Sequence, residues 1–252
     1  MNRFAAGLAV GSIVTGLAAA GYNYLKGHRL INRHVDDYRA HWEERRGSHP
    51  EGVLHYVALG DSAAQGVGAS HVGASYVAIL GDRLAAATGR DVAITNLSVS
   101  GAVSGDVVAR QLPHLEELGF TPDIVTLDIG GNDVIFAADN SVDTFAASFE
   151  AILAALPPGS FVGDVPWFLI PGLSRRSKAM THRATDLIRT YGHHLVPLYQ
   201  SMRDNGYLRF YTKTAADWFH PNDKGYQSFA DLYWAEIVAS GVLEDLLAER
   251  SH

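Results

Sequence analysis

The chain of 252 residues contains no cysteine. Disulfides, thiolate nucleophiles and cysteine-held zinc are therefore excluded, and the redox compartment leaves no mark on the sequence. Basic residues are in deficit: 20 Lys and Arg stand against 27 Asp and Glu, a formal charge of −7, so no overall positive field favours nucleic acid. There is no Gly-x-Ser-x-Gly elbow and no Walker loop. The one start of a dinucleotide loop, Gly66-Val67-Gly68, meets His71 where the third glycine belongs. No internal repeat occurs. What remains is ordinary for a globular chain, with 47% hydrophobic and 19% charged residues and enough length for a substantial core.

Charge is also missing locally. From Phe4 to Leu25 no side chain is ionised; Arg3 precedes the run, and Lys26, His28 and Arg29 follow it. About 20 apolar residues can span a bilayer. Ala18-Ala19-Ala20 also offers a signal-cleavage site, and a buried soluble helix is the third reading. Residues 1–25 are thus expected to be a signal-anchor or transmembrane segment, retained or cleaved, which makes the protein membrane-anchored or secreted. Orientation stays open. Lys26, Arg29 and Arg33 outnumber Arg3 and the α-amino group, which by charge alone keeps the bulk of the chain cytoplasmic. A signal-like start favours export. Residues 26–52 are expected to be a charged helix and a linker. Ile31, Val35, Tyr38 and Trp42 recur on one helix face, either packed on the domain or lying partly on lipid, and Gly47 to Gly52 reads as the linker.

Residues 53–248 show strand–helix alternation. Short apolar runs at Leu54–Leu59, Val92–Leu97, Ile124–Ile129, Trp167–Ile170 and Leu195–Leu198 predict strands. Helical stretches are predicted at Ser75–Thr88, Ser104–Leu118, Val142–Leu156, Ser177–Tyr191 and Lys224–Ser240. Such alternation argues a parallel sheet covered on both faces, and in such sheets sites form at the carboxyl ends of strands.

Ser62, Gly101 and Asn132 each fall just past a predicted strand. A serine needs a base to become a nucleophile, and Gly60-Asp61-Ser62 by itself reads equally as a capped turn. His220 is the best candidate base. Asp217, three residues earlier, can hold its other ring nitrogen; the bland alternative is a surface turn. Gly101 allows a backbone N–H to approach substrate, and Asn132 supplies side-chain donors, so both are candidate oxyanion donors. A loop hinge and a turn former are the alternatives. Trp218 and Phe219, inside the Asp–His turn, are candidate substrate contacts, as is Arg175 for an anionic head group. Asp217, His220 and Asp223 lack a convincing remaining metal shell. The sequon Asn96-Leu97-Ser98 lies on a predicted strand and reads as incidental.

As a set, Gly60-Asp61-Ser62, Asn96 through Gly101, Gly130-Gly131-Asn132-Asp133 and Asp217-x-x-His220-Pro221-Asn222 resemble the four blocks of the SGNH/GDSL hydrolases. The resemblance covers roughly Leu54 to Ser240. It implies a three-layer α/β/α domain with a five-stranded parallel sheet, flavodoxin-like, here preceded by an N-terminal hydrophobic helix. It implies a Ser62–His220–Asp217 triad with Ser62, Gly101 and Asn132 as oxyanion hole, cleaving acyl esters of lipids, acylated sugars or small alcohols without cofactor or metal. An acyltransferase using the same residues, and an inactive membrane-tethered binding module, are the other expectations. Ala63-Ala64 departs from many members, which leaves substrate choice open.

Overall fold

A computed structural model describes residues 31–45, 52–136, 138 and 140–248. The apolar run 1–25 and most of the linker lie outside them. Among the described residues no helix is long and apolar enough to cross a membrane.

The elements alternate along the chain. After helix α1 (31–45) come β1 (Leu54–Gly60), α2 (Ser62–Gln65), α3 (Tyr76–Thr88) and β2 (Val92–Asn96). A bent helix follows, with α4 (Ser104–Asp106), a π-helical segment (Val107–Gln111) and α5 (Leu112–Glu116). Then come β3 (Ile124–Asp128), α6 (Gly131–Ile135), α7 (Val142–Ala155), β4 (Phe161–Gly163), α8 (Pro171–Thr190) and β5 (His194–Val196). The chain closes with α9 (Leu198–Asp204), α10 (Gly206–Thr212), α11 (Asp223–Ser240) and α12 (Val242–Ala248).

The five strands are all parallel, in the order β2-β1-β3-β4-β5. That order reverses between β1 and β3, so the loops leaving these two strands part and open a crevice at their carboxyl ends. Alternation along β1 builds the two cores. Leu54, Tyr56 and Ala58 face one cluster with α3 and α11 residues such as Tyr76, Leu80 and Tyr233. Val57 and Leu59 face the other, with Phe145, Phe149 and Met180 of α7 and α8. Buried Tyr233 stacks on Tyr76 at 5.0 Å and donates to the Leu127 carbonyl at 2.7 Å.

The stripe on α1 packs on the domain. Ile31, Tyr38 and Trp42 are buried, the Tyr38 hydroxyl donates to Ala69 O (2.8 Å), and Trp42 Nε1 donates to Gln65 O (3.0 Å). This helix therefore braces the segment just after Ser62.

Three elements lie elsewhere than the sequence reading placed them. The fourth strand is Phe161–Gly163 rather than Trp167–Ile170. Phe161 and Val162 are buried and pair with Thr126 and Leu127, whereas 167–170 lies between Pro166 and Pro171, which remove ladder donors, and ends in an exposed Ile170. Helix α8 accordingly starts at Pro171, in the first-turn position that proline favours, six residues before the expected Ser177. The fifth strand is His194–Val196, shorter than Leu195–Leu198 and shifted toward the N-terminus.

Candidate active site

The turn that carries Ser62 is built from the carboxyl end of β1. Gly60 has φ +143°, and a Cβ there would lie 2.1 Å from the Asp128 carbonyl oxygen, so only glycine lets β1 and β3 stay this close. Gln111 clamps the same residue: its Oε1 accepts from Gly60 N (2.9 Å) and its Nε2 donates to Gly60 O (2.7 Å). It reaches there from the end of the π segment, a local widening of the kind found at functional sites. Asp61 then caps α2, its Oδ1 accepting from Ala63 N at 2.9 Å. Ser62 is the first residue of α2, so its N–H belongs to the donors a helix cannot pair internally.

His220 arrives on a loop between α10 and α11. Ala215 N donates to His220 O (2.7 Å) and Asn222 N to Lys213 O (3.0 Å), which closes the loop as a tight antiparallel ribbon. The Asn222 side chain works in two directions. Its Oδ1 caps α11 through Lys224 N and Gly225 N, and its Nδ2 donates to Thr212 O and Thr214 O. Gly68 packs beneath, where a Cβ would meet Pro221 O at 2.5 Å and His220 Cβ at 2.8 Å.

The result is one hydrogen-bonded chain. Asp217 Oδ2 lies 2.6 Å from His220 Nδ1, and His220 Nε2 lies 2.9 Å from Ser62 Oγ across 158 positions of sequence. Asp217 Oδ1 also accepts from Phe219 N and His220 N, both at 3.1 Å. Burial pushes the Asp217 carboxyl up, but the hydrogen bond and charge of His220, with the two backbone donors, outweigh it and leave it below its ordinary value. An ionised Asp217 takes the Nδ1 proton as donor and leaves Nε2 to accept from the Ser62 hydroxyl.

Asn132 stands opposite, in the first turn of α6, with its Nδ2 donating to Ala102 O (2.9 Å) and to Asp61 Oδ2 (3.2 Å). Both amide hydrogens are thus engaged at rest, the Asp61 bond being the longer. Gly101 is exposed in the loop after β2 with φ +81°, a conformation that glycine adopts without strain. Asn96, the last residue of β2, is buried and ties this loop to the turn that carries Ser62, Nδ2 donating to Ala64 O (2.8 Å) and Oδ1 accepting from Ser98 N (3.0 Å). Asp133 anchors α6 to α4 by accepting from Ser104 N and Oγ.

The model of the GDSL-like lipase/acylhydrolase family matches residues 58–228, the span that holds every group just described. The chain belongs to this family. Among curated protein sequences none matches. Solved structures with the same fold include LAE5, an alpha/beta hydrolase enzyme from the metagenome of Lake Arreo, at 24% identity and TM-score 0.61 over 75% of this chain and 96% of that one. The acetyl xylan esterase Axe2 of Geobacillus stearothermophilus aligns at 20% identity and TM-score 0.62, over 73% and 94% of the two chains. The esterase EstA of Pseudoalteromonas sp. aligns at 24% and 0.57, over 73% and 97%.

Within this family member a cavity of about 450 Å³ opens beside Ser62 and His220, and it is largely apolar. Ile135, Trp167, Phe168, Leu173, Met202 and Phe229 contribute walls. Trp218 and Phe219 also line it, so the turn that carries Asp217 and His220 contributes cavity wall as well. Arg175 does not line it; the residue is exposed on α8, while its neighbour Arg176 donates to Asp133 O at 2.9 Å. Among the described residues no group of three or more His, Asp or Glu is placed to hold a metal ion. Asp223 instead accepts from Ser70 N and Oγ, both at 2.7 Å.

Sequence reasoning passed over Gln111 and gave Asp61 only a capping role. A glutamine four residues after Val107 and next to Leu112, both apolar and on the buried face of this helix, is the signal that was available.

Four buried carboxyls lie around the site, Asp133 among them, raised by burial against the bonds from Ser104. Burial raises Asp61 to about 6, against the Ala63 N–H and the charge of His220, with Asp133 adding to the rise. Burial also raises Asp164 to about 7, although its Oδ1 accepts from Tyr199 N at 2.7 Å. Asp128 is pushed well above the carboxylate range by burial and by its neighbours Asp61 and Asp164. Its Oδ2 has no protein partner among the described residues. These folded-state values lie above the unfolded one. The neutral acids therefore contribute stability that is full below pH ~4 and is lost as pH rises through ~6 to ~7. Tm should fall by several degrees between pH 5 and pH 8, and Asp164→Asn should flatten that slope; calorimetry on both proteins checks it.

Proposed function

We propose that the protein is a serine carboxylic ester hydrolase working through an acyl-enzyme. The observation that carries this reading is the unbroken chain from Asp217 through His220 to Ser62, at 2.6 and 2.9 Å. Ser62 Oγ attacks the ester carbonyl carbon as His220 Nε2 takes its proton. The carbonyl oxygen becomes an oxyanion facing the Ser62 and Gly101 N–H groups. Asn132 joins them by exchanging its longer bond, the one to Asp61, for the oxyanion. The C–O bond to the alcohol breaks, and the alcohol leaves with the proton from His220. Water then attacks the acyl carbon with the same imidazole as base. Oγ departs, regains its proton and frees the acid. Asp217 holds the ring and stabilises the imidazolium throughout.

The substrate reading follows from the cavity. Walls built from Ile135, Leu173, Met202 and Phe229 suit an apolar acyl chain rather than a sugar, which would leave its hydroxyls unpaired there. Each buried methylene is worth about 0.8 kcal/mol. Released acid measured across aryl esters should therefore give a kcat/KM at least about tenfold higher for hexanoyl than for acetyl. A flat or falling series would remove the acyl-pocket reading. The uncharged run Phe4 to Leu25 supports a membrane-anchored or exported protein, and we place its work outside the cytoplasm on that ground.

A further inference from the structure

We propose that the rim of the cavity docks on a lipid bilayer, so that the ester substrate passes from the membrane into the site. The proposal takes its purpose from the ester-hydrolase reading, but its test does not depend on turnover.

Three observations converge. First, exposed apolar side chains gather at one mouth. Ile170 is 62% exposed, Tyr211 55%, Trp218 71% and Phe219 36%, and all four line the cavity that reaches Ser62. Tyr207, 63% exposed, packs edge-on against Trp167 of the same wall. A clustered apolar edge around a pocket marks an interaction site, where scattered exposed residues would not.

Second, the most exposed of these is held outward by strain. Trp218 has φ +58°, and among the described residues it alone adopts positive φ without being glycine. The left-handed region is unfavourable for a residue with a Cβ. Trp218 is fixed there by the Asp217–His220 turn, and Tyr211 meets its ring edge-on at 6.1 Å. Indole and phenol rings presented in this way suit the headgroup level of a bilayer, one edge apolar and one polar.

Third, the chain enters the described structure on the same edge. Ile31 and His34, at the start of α1, face Thr212, Ala215 and Ala216 across a shared cleft. Thr212 closes α10, and Ala215 and Ala216 belong to the loop that carries Asp217, Trp218 and His220. The uncharged run Phe4 to Leu25 ends six residues before Ile31, so a membrane holding that run would lie close to the cavity mouth. Lys26, Arg29 and Arg33 follow the run in sequence, and exposed Arg175 lies near the start of α8, which begins right after Ile170. Cations so placed suit anionic headgroups.

The test uses the full chain carrying Ser62→Ala, mixed with vesicles of phosphatidylcholine and phosphatidylglycerol whose phosphatidylcholine has brominated acyl chains. Bromine quenches indole on contact. The chain has four tryptophans, of which Trp42 and Trp167 are buried and Trp218 is exposed. Emission should be quenched, and Trp218→Phe in the same background should lower the quenching at least about twofold. Ile170→Asp, which leaves all four indoles and the N-terminal run in place, should also lower it at least about twofold by unseating the rim. Quenching unchanged in both variants would assign all lipid contact to the N-terminal run and overturn the proposal. No quenching, with concentration-dependent dimers in sedimentation velocity, would assign the rim to a second copy and overturn it equally. Failure of the parent protein to release acid from an aryl ester would strike the hydrolase reading and leave this one standing.

Discussion

Ser62→Ala is expected to lower kcat on an aryl ester by at least about 10³-fold with the fold intact. The size of the effect follows from what the hydroxyl does. It is the only atom in the arrangement placed both to attack an acyl carbon and to hand its proton to His220 Nε2, 2.9 Å away. Nothing nearby replaces it; the other polar groups at this end of β1 are committed, Asp61 to Ala63 N and Asn132, and Gln65 to Ser98 O. The fold should survive because among the described residues the hydroxyl bonds only to His220, and that ring keeps its bond to Asp217. Residual activity should come from the oxyanion donors and binding. Steady-state kinetics with a circular-dichroism melt separates the two outcomes, and an unchanged kcat would remove the nucleophile assignment.

Asp217→Asn should be nearly as damaging, lowering kcat by roughly 10³- to 10⁴-fold with a much smaller change in KM. The carboxylate accepts three hydrogen bonds, from His220 Nδ1, His220 N and Phe219 N. An amide has one acceptor oxygen. If that oxygen keeps the backbone donors, the NH₂ faces Nδ1 and forces the ring proton onto Nε2, the atom that must accept from Ser62. Stability gives an independent reading. The folded Asp217 carboxyl lies below its ordinary value, so its contribution is present at neutral pH and lost as pH falls through that lowered value. The Tm difference between parent and Asp217→Asn should therefore narrow on acidification. Equal kcat in the two proteins would make Asp217 a loop residue only.

The doubly wound pattern was legible because strands buried on both faces read as largely apolar runs, and β1 and β3 do so with only His55 and Thr126 inside them. That Ser62 and Asn132 lie just beyond the carboxyl ends of β1 and β3, at the reversal of strand order, was legible for a related reason: each stands within four residues of such a run. β4 escaped because Phe161–Gly163 is only three residues long, and the longer apolar run after it is broken out of the sheet by Pro166 and Pro171. Gln111 and the tie from Asn96 to Ala64 depend on partners 51 and 32 positions away, which no local pattern reports. The engagement of Asn132 by Asp61 could not be read either, since a side chain's capacity to donate does not say what it donates to at rest. The cavity was the least legible feature. Its walls come from segments around positions 61, 135, 170, 202 and 218, which are adjacent only once the sheet has placed them.

The claim on which the rest depends is that Ser62 is a nucleophile activated by His220. An alkyl fluorophosphonate tests it directly, because Oγ displaces fluoride from phosphorus only when its proton is taken by a base. After treatment, peptide mapping by mass spectrometry should find a single phosphonyl adduct, on Ser62, formed in step with loss of esterase activity and absent from His220→Ala. Full activity in the unmodified protein after exhaustive treatment, or an adduct carried by a different serine, would contradict the account.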